Sequence, residues 1–355
     1  MPHLDLELAP GWREVDPRAD APELLVEQGG VLRHLRGDFD ELHQFGSVGP
    51  VDCPLAYDAR SRRAYRYVCE TRLLRKDFSQ LRAYDLNSGG VFPLLELPLN
   101  QWVLWQLDWL PGKDGEPGQL FGLLASDHTE DDDRIVIQHR LFAFNPAEAA
   151  PRVRPLCRDA YKPLAFSRQR REMVFAGAEG IHVVGLKGER RVSLTRESRP
   201  EGYGASFDPQ GGGRVALGGA GIWIWDYEAG SLDRLSVVGR HPVWSQDGRG
   251  IWYGECSSDL FRYDTGSGQI EKILGIRQNR QTETWHARPV RQSPCGRYLA
   301  MSLTAKRLKG VTRQAGGMAE REHVYVHHHA LCILDLERRE LWRREGAFVN
   351  QVRWV

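Results

Sequence analysis

The chain has 355 residues, 41% of them hydrophobic, with 48 Lys+Arg against 47 Asp+Glu and a formal net charge of +1. That apolar content supports a sizeable core and excludes a disordered chain. The charge balance argues against a nucleic-acid backbone as the main partner, because such proteins carry a basic excess.

The first predicted strands are residues 24–27 and 31–35, separated by Gly29-Gly30. A unit then recurs: an apolar strand, a polar turn, a second strand. Its copies are Pro54-Leu55-Ala56-Tyr57-Asp58, a degenerate Leu107-Asp108-Trp109-Leu110-Pro111-Gly112, and Pro163-Leu164-Ala165-Phe166-Ser167. Further copies are Gly204-Ala205-Ser206-Phe207-Asp208-Pro209, Pro242-Val243-Trp244-Ser245-Gln246-Asp247-Gly248 and Pro289-Val290-Arg291-Gln292-Ser293-Pro294-Cys295-Gly296. The last is Gln351-Val352-Arg353-Trp354-Val355. The residues before the turns, 57, 109, 166, 207, 244, 292 and 354, are 52, 57, 41, 37, 48 and 62 apart. Four-stranded blades repeat every ~40–50 residues, so the longer steps imply insertions.

A second unit follows each first one, as in Ile222-Trp223-Ile224-Trp225-Asp226 before Gly230 and Leu260-Phe261-Arg262-Tyr263-Asp264 before Gly266. The period of two marks strands, and Asp or Asn with Gly builds a tight hairpin reversal. Trp244-Ser245-Gln246-Asp247-Gly248 resembles the W-S-P-D-G turn of TolB-like propeller repeats, and Trp225-Asp226 resembles the dipeptide of WD-repeat proteins. The resemblance covers nearly the whole chain and implies architecture only. Cys295 replaces the turn Asp in one copy, and the Gly-His pairs of WD repeats are missing.

The expected fold is all-β: one domain, residues 1–355, forming a seven-bladed β-propeller of four-stranded antiparallel blades. A composite blade from about residues 12–36 and 347–355 closes the ring and hides the sheet edges. Six or eight blades are the alternatives, decided by how residues 100–156 divide.

Within blades running A to D from the axis outward, the A–B turns are short. Three B–C loops are long, at residues 70–79, 126–134 and 304–323, as is a D–A connection at 37–52. All four are expected on one face, the top. Long loops on a rigid scaffold are usual carriers of binding function. Arg72, Arg75 and Lys76, then Asp131, Asp132 and Asp133, then Lys306, Arg307, Lys309 and Arg313 pattern that face with charge and mark it for a protein partner. The competing reading is solvated loop tips.

The residues that open the A strands are expected to ring the channel mouth. Among them, Asp52, Tyr203, His241 and His286 are the candidates for a hydrolase or lyase, the alternative to a non-catalytic scaffold. Any propeller also needs polar groups at a wet mouth. His323, His327 and His329 are candidate metal ligands on one strand face, without a spacing that fixes the set. No Walker loop, G-x-S-x-G elbow or G-x-G-x-x-G follows a strand, so no cofactor is expected. The N-terminus has no leader pattern and no apolar run reaches the ~20 residues of a membrane span. The six cysteines lack C-x-x-C spacing. A cytoplasmic protein with free thiols and no membrane contact is therefore expected.

Overall fold

Blade 4 shows how the repeat becomes structure. Residues of alternating character pair as four antiparallel strands, and the apolar set of each face meets a neighbouring blade. The computed structural model describes residues 5–28, 30–46, 54–72, 75–97, 103–112, 117–129, 135–148, 150–157, 160–177, 179–186, 190–195, 204–254, 259–276, 282–313, 321–346 and 349–355.

Strands are numbered in chain order. The N-terminal segment gives β1 (Leu6–Leu8), β2 (Arg13–Glu14), β3 (Leu24–Gln28), β4 (Val31–Leu35) and β5 (Glu41–Phe45). Blade 1 is β6–β9 (Leu55–Asp58, Arg63–Arg72, Arg75–Asp85, Val91–Leu97), and blade 2 is β10–β13 (Val103–Leu110, Gln119–Thr129, Ile135–Phe144, Arg152–Cys157). Blade 3 is β14–β17 (Ala160–Ser167, Glu172–Gly177, Gly180–Gly185, Arg190–Thr195), and blade 4 is β18–β21 (Gly204–Phe207, Arg214–Gly219, Gly221–Asp226, Ser231–Ser236). Blade 5 is β22–β25 (Arg240–Trp244, Gly250–Gly254, Leu260–Asp264, Ile270–Ile276). Blade 6 is β26–β29 (Thr282–Gln292, Tyr298–Arg313, Arg321–Asp335, Glu340–Gly346). Blade 7 joins β30 (Val349–Trp354) to β3, β4 and β5. The degenerate stretch thus forms one blade, and the ring has seven.

Among the described residues the core is not one mass but seven apolar clusters, one at each blade–blade seam. At the seam between blades 7 and 1, Leu25, Leu32 and Phe45 meet Leu55, Tyr57 and Tyr84, so the ring is closed. A buried charge pair supports the same seam. Glu27 accepts the Gly30 amide at 2.8 Å, and Arg66 donates to the Gly30 carbonyl at 2.8 Å, 3.7 Å from Glu27.

The C–D reversals of blades 1, 4, 5 and 6 share one device. Asp85, Asp226, Asp264 and Asp335 accept the amides of Ser88, Ala229, Ser267 and Arg338 at 2.8–3.1 Å. The residue four positions after each Asp is left-handed: Gly89, Gly230 and Gly268 with φ of 70–72°, and Arg339 with φ of 56° in blade 6. In blade 6 the turn is also clamped by Arg297, which donates to Asp335 at 3.1 Å and lies 4.9 Å over the Tyr298 ring.

Three expectations need correction. The composite blade reaches residue 45, because β5 is its outer strand and not part of a connection. β2 lies outside that blade. It pairs in parallel with β29 on the rim of blade 6, Arg13 opposite Glu340, while β1 pairs with β25 on the rim of blade 5. The N-terminal segment is therefore a strap over two outer edges, which would otherwise present unpaired backbone groups. Finally, the long B–C segments are not loops. Blade 1 pairs out to Arg72↔Arg75, blade 2 to Thr129↔Ile135 and blade 6 to Arg313↔Arg321. Their described residues form β-hairpin arms, in which the ladder satisfies the backbone groups.

Candidate functional site

All three arms are B–C hairpins. Every A strand is innermost and every blade is antiparallel, so the arms leave the ring on the same face. They belong to blades 6, 1 and 2 and flank composite blade 7, forming a crescent. The B and C strands of blade 6 have 16 and 15 residues, against 5 and 5 in blade 5.

Register places the charged candidates on these arms. Arg72 and Arg75 form the outermost described rung of the blade 1 ladder, and Lys76 follows on β8. On blade 6, Lys306 pairs with His327, Arg307 with Val326 and Arg313 with Arg321, while Lys309 sits at the bulge between Leu308 and Gly310. Asp131, Asp132 and Asp133 lie outside the described residues, as do Asp52 and Tyr203 at the mouth.

The two remaining mouth candidates sit in different settings. His241 is the second residue of β22, inside a bulge, with a φ of 52°, a conformation that side chains rarely adopt and that a tight surrounding must hold. Its ring lies beside Gly204 of blade 4, where an added Cβ would come within 3.5 Å of the imidazole. His286 is on β26 opposite Thr304, and Thr304 is opposite His329. The Thr304 hydroxyl is 3.1 Å from His329 Nδ1. A cross-strand row, His286–Thr304–His329, therefore links a candidate mouth histidine to the histidine tract. Desolvation, and then the charge of Arg240, holds His286 below the ordinary histidine range. Desolvation, and then His327 and His328, does the same to His329. Both favour the neutral imidazole.

His327 and His329 stack with centroids 6.2 Å apart. His323 pairs with Val311 farther out on β28, four residues from His327. At about 3.3 Å of rise per residue, its backbone lies ~13 Å from that of His327 and ~20 Å from that of His329. Among the described residues no group of three or more His, Cys, Asp or Glu side chains converges. Trp109 stacks on Tyr65 of blade 1, 5.2 Å between centroids, and so belongs to a seam.

The channel itself holds charges that the strand-opening residues did not signal. The position one before each repeat's turn-preceding residue is Ala56, Asp108, Ala165, Ser206, Val243, Arg291 and Arg353. Asp108 accepts its own Trp109 amide at 2.9 Å and Arg168 Nε at 3.0 Å. Desolvation pushes the Asp108 carboxyl up, but Arg168, Arg353 and Arg291 outweigh it and hold it below the usual range. Desolvation drives Arg353 down to about 9, with Arg291 repelling it further, and desolvation also lowers Arg291. Blades 2 and 3 lie across the ring from blades 6 and 7, so these fields meet over the axis. On the A–B face a separate cavity of about 280 Å³ between blades 5 and 6 is lined by Trp12, Asp247, Trp252, Arg262 and Glu271.

Among the described residues, no helix is long and apolar enough to cross a membrane. Cys332 is buried in the seam between blades 5 and 6 and its thiol is pushed up by desolvation, while Cys295 is exposed.

No protein-family model and no curated relative matches the chain. Among solved structures, the chain is similar to dihydro-heme d1 dehydrogenase NirN in complex with DHE, at 14% identity and a TM-score of 0.58, over 99% of this chain and 80% of that one. It is also similar to the Dos1 propeller, at 12% identity and a TM-score of 0.53, over 79% and 73% of the two chains. At these identities the likeness is one of fold, and the chain is a seven-bladed β-propeller.

Proposed function

We propose that the chain is a non-catalytic scaffold of the cytoplasm that binds a protein partner through its top face. The observation that supports this most is the crescent of hairpin arms on blades 6, 1 and 2. Extended ladders are pre-ordered, so a partner docks on them at a low entropic cost compared with loops. Residues 304–313 carry Lys306, Arg307, Lys309 and Arg313, and residues 127–133 carry five acids. The partner therefore presents an acidic patch to the blade 6 arm and a basic patch to the blade 2 arm.

The test is capture from the native host with the intact chain beside a variant in which a short Gly/Ser linker replaces residues 306–321. A stoichiometric partner lost in the variant, with an unchanged melting temperature, is the expected result. A partner retained equally by both forms sinks the arm as the docking surface.

A second reading rests on the row His286–Thr304–His329. Two imidazoles held neutral beside a hydroxyl suit general acid–base work in a hydrolase or lyase. Diethyl pyrocarbonate protection of these histidines by a bound small molecule, in the absence of any protein partner, would favour it over the scaffold.

A further inference from the structure

Among the described residues, two arginines on neighbouring A strands act on each other at the channel without enough negative charge to balance them. Arg291 comes from the A strand of blade 6 and Arg353 from the A strand of blade 7, one position before Gln292 and Trp354. Both are partly buried. Arg353 uses one terminal nitrogen on the Val352 carbonyl at 3.1 Å, and its Nε is buried with no partner. Among the described residues, no hydrogen bond engages the Arg291 guanidinium; its carbonyl accepts the Trp354 indole at 3.2 Å.

Among the described residues, the only acid acting on both is Asp108, and it is already occupied. Arg168 docks on it with Nε and with a terminal nitrogen, and the Trp109 amide docks on the same oxygen. That pair is neutral as a unit. Among the described residues two positive charges remain, both on partly buried side chains. Like charges held together away from water cost stability unless a counter-ion completes them.

We propose that the central channel is a binding site for a phosphate dianion, free or as the terminal group of a phosphomonoester, held between Arg291 and Arg353. The charge fits: two unbalanced guanidinium groups match two negative charges, whereas a monocarboxylate would leave one unmatched. The shape fits as well, since each guanidinium presents parallel N–H donors to two oxygens of one tetrahedral anion. The Arg168–Asp108 pair across the axis bounds the site and sets its net charge. Neither the partner surface nor the histidine row takes part.

Calorimetric titration of the full chain at constant ionic strength, in a phosphate-free buffer, tests this. Inorganic phosphate and glycerol 3-phosphate are titrated separately, with sodium chloride as the control. Expected is one saturable phosphate site per chain, with affinity falling about ten-fold or more in Arg291→Gln and in Arg353→Gln. Saturation by glycerol 3-phosphate as well assigns the site to phosphomonoesters, and saturation by inorganic phosphate alone assigns it to the free ion. Asp108→Asn supplies an effect of opposite sign, because it removes the competing acid: phosphate binds more tightly. No saturable heat with wild type up to about 10 mM phosphate overturns the proposal. So does equal affinity in wild type and both arginine variants, or weaker binding in a folded Asp108→Asn variant.

Discussion

Blades 5 and 6 are neighbours built on one plan, and they differ in what happens beyond the ring. Blade 5 has strands of 5, 5, 5 and 7 residues, whereas blade 6 has 11, 16, 15 and 7. Within the ring the two share one apolar seam, where Trp252 and Leu260 meet Leu303, Ala305, Ala330 and Cys332. Past Ala305 and Ala330 the described side chains of blade 6 are more open. His327 is exposed, and Val326 is 36% exposed where Leu303 is fully buried. One ladder therefore does two jobs. Its inner half is held by burial, and its outer half continues as a backbone ladder to Arg313↔Arg321, where side-chain identity is freer for recognition.

This contrast can be broken by mutations along a single hairpin. Leu303→Ala empties part of the seam and is expected to cost about 2–5 kcal/mol in denaturant unfolding. A loss near that of a surface substitution would mean that the seam does not hold blade 6. Asp335→Asn has an intermediate effect, about 1–3 kcal/mol at pH 7, because it removes the charged partner of Arg297. Desolvation raises the Asp335 carboxyl, but Arg297 and the turn amides prevail and leave it below its ordinary range. A depressed carboxyl gives its full stabilisation above the unfolded-state pKa of ~3.9 and loses it as pH falls through the folded value. The gap between wild type and Asp335→Asn is therefore expected to close below about pH 4, and a gap constant from pH 7 to pH 3 would exclude the charge pair as its origin. The smallest effect is expected for Val326→Ala, within about 0.5 kcal/mol. A larger loss would show the outer half of the arm to be packed against something.

The blade count was legible because its signal is redundant. The pre-turn positions from Tyr57 to Trp354 and the Asp85, Asp226, Asp264 and Asp335 reversals each report the same period, so a weak copy such as Asp108-Trp109 is rescued by its neighbours. What was not legible lies where burial stops imposing a pattern. The arm residues 306–313 and 321–328 are rich in charged residues and histidines that interrupt an apolar alternation, and so they read as loop. β5, Glu41-Leu42-His43-Gln44-Phe45, is an outer strand with one buried residue, and β1 and β2 are too short to carry a period. Arg291 and Arg353 were visible as residues, but their meeting depends on blades far apart in sequence curving to one axis. The available hint was register: two arginines stand at a position that holds Ala or Ser in three other copies. His286 and His329 likewise stand 43 residues apart in the sequence and join only through the pairing of Thr304.

The strap has a consequence for synthesis. β1 pairs Leu6 with Ile276, β2 pairs Arg13 with Glu340, and β3 pairs Leu24 with Trp354. A chain emerging at roughly 5–20 residues per second makes its N-terminal strands tens of seconds before their partners exist. Contacts of such sequence separation are slow to form in any case. The nascent protein must therefore carry an unclosed ring with bare strand edges until the last blade arrives, an interval in which chaperones, or a second copy of the chain, can compete for them.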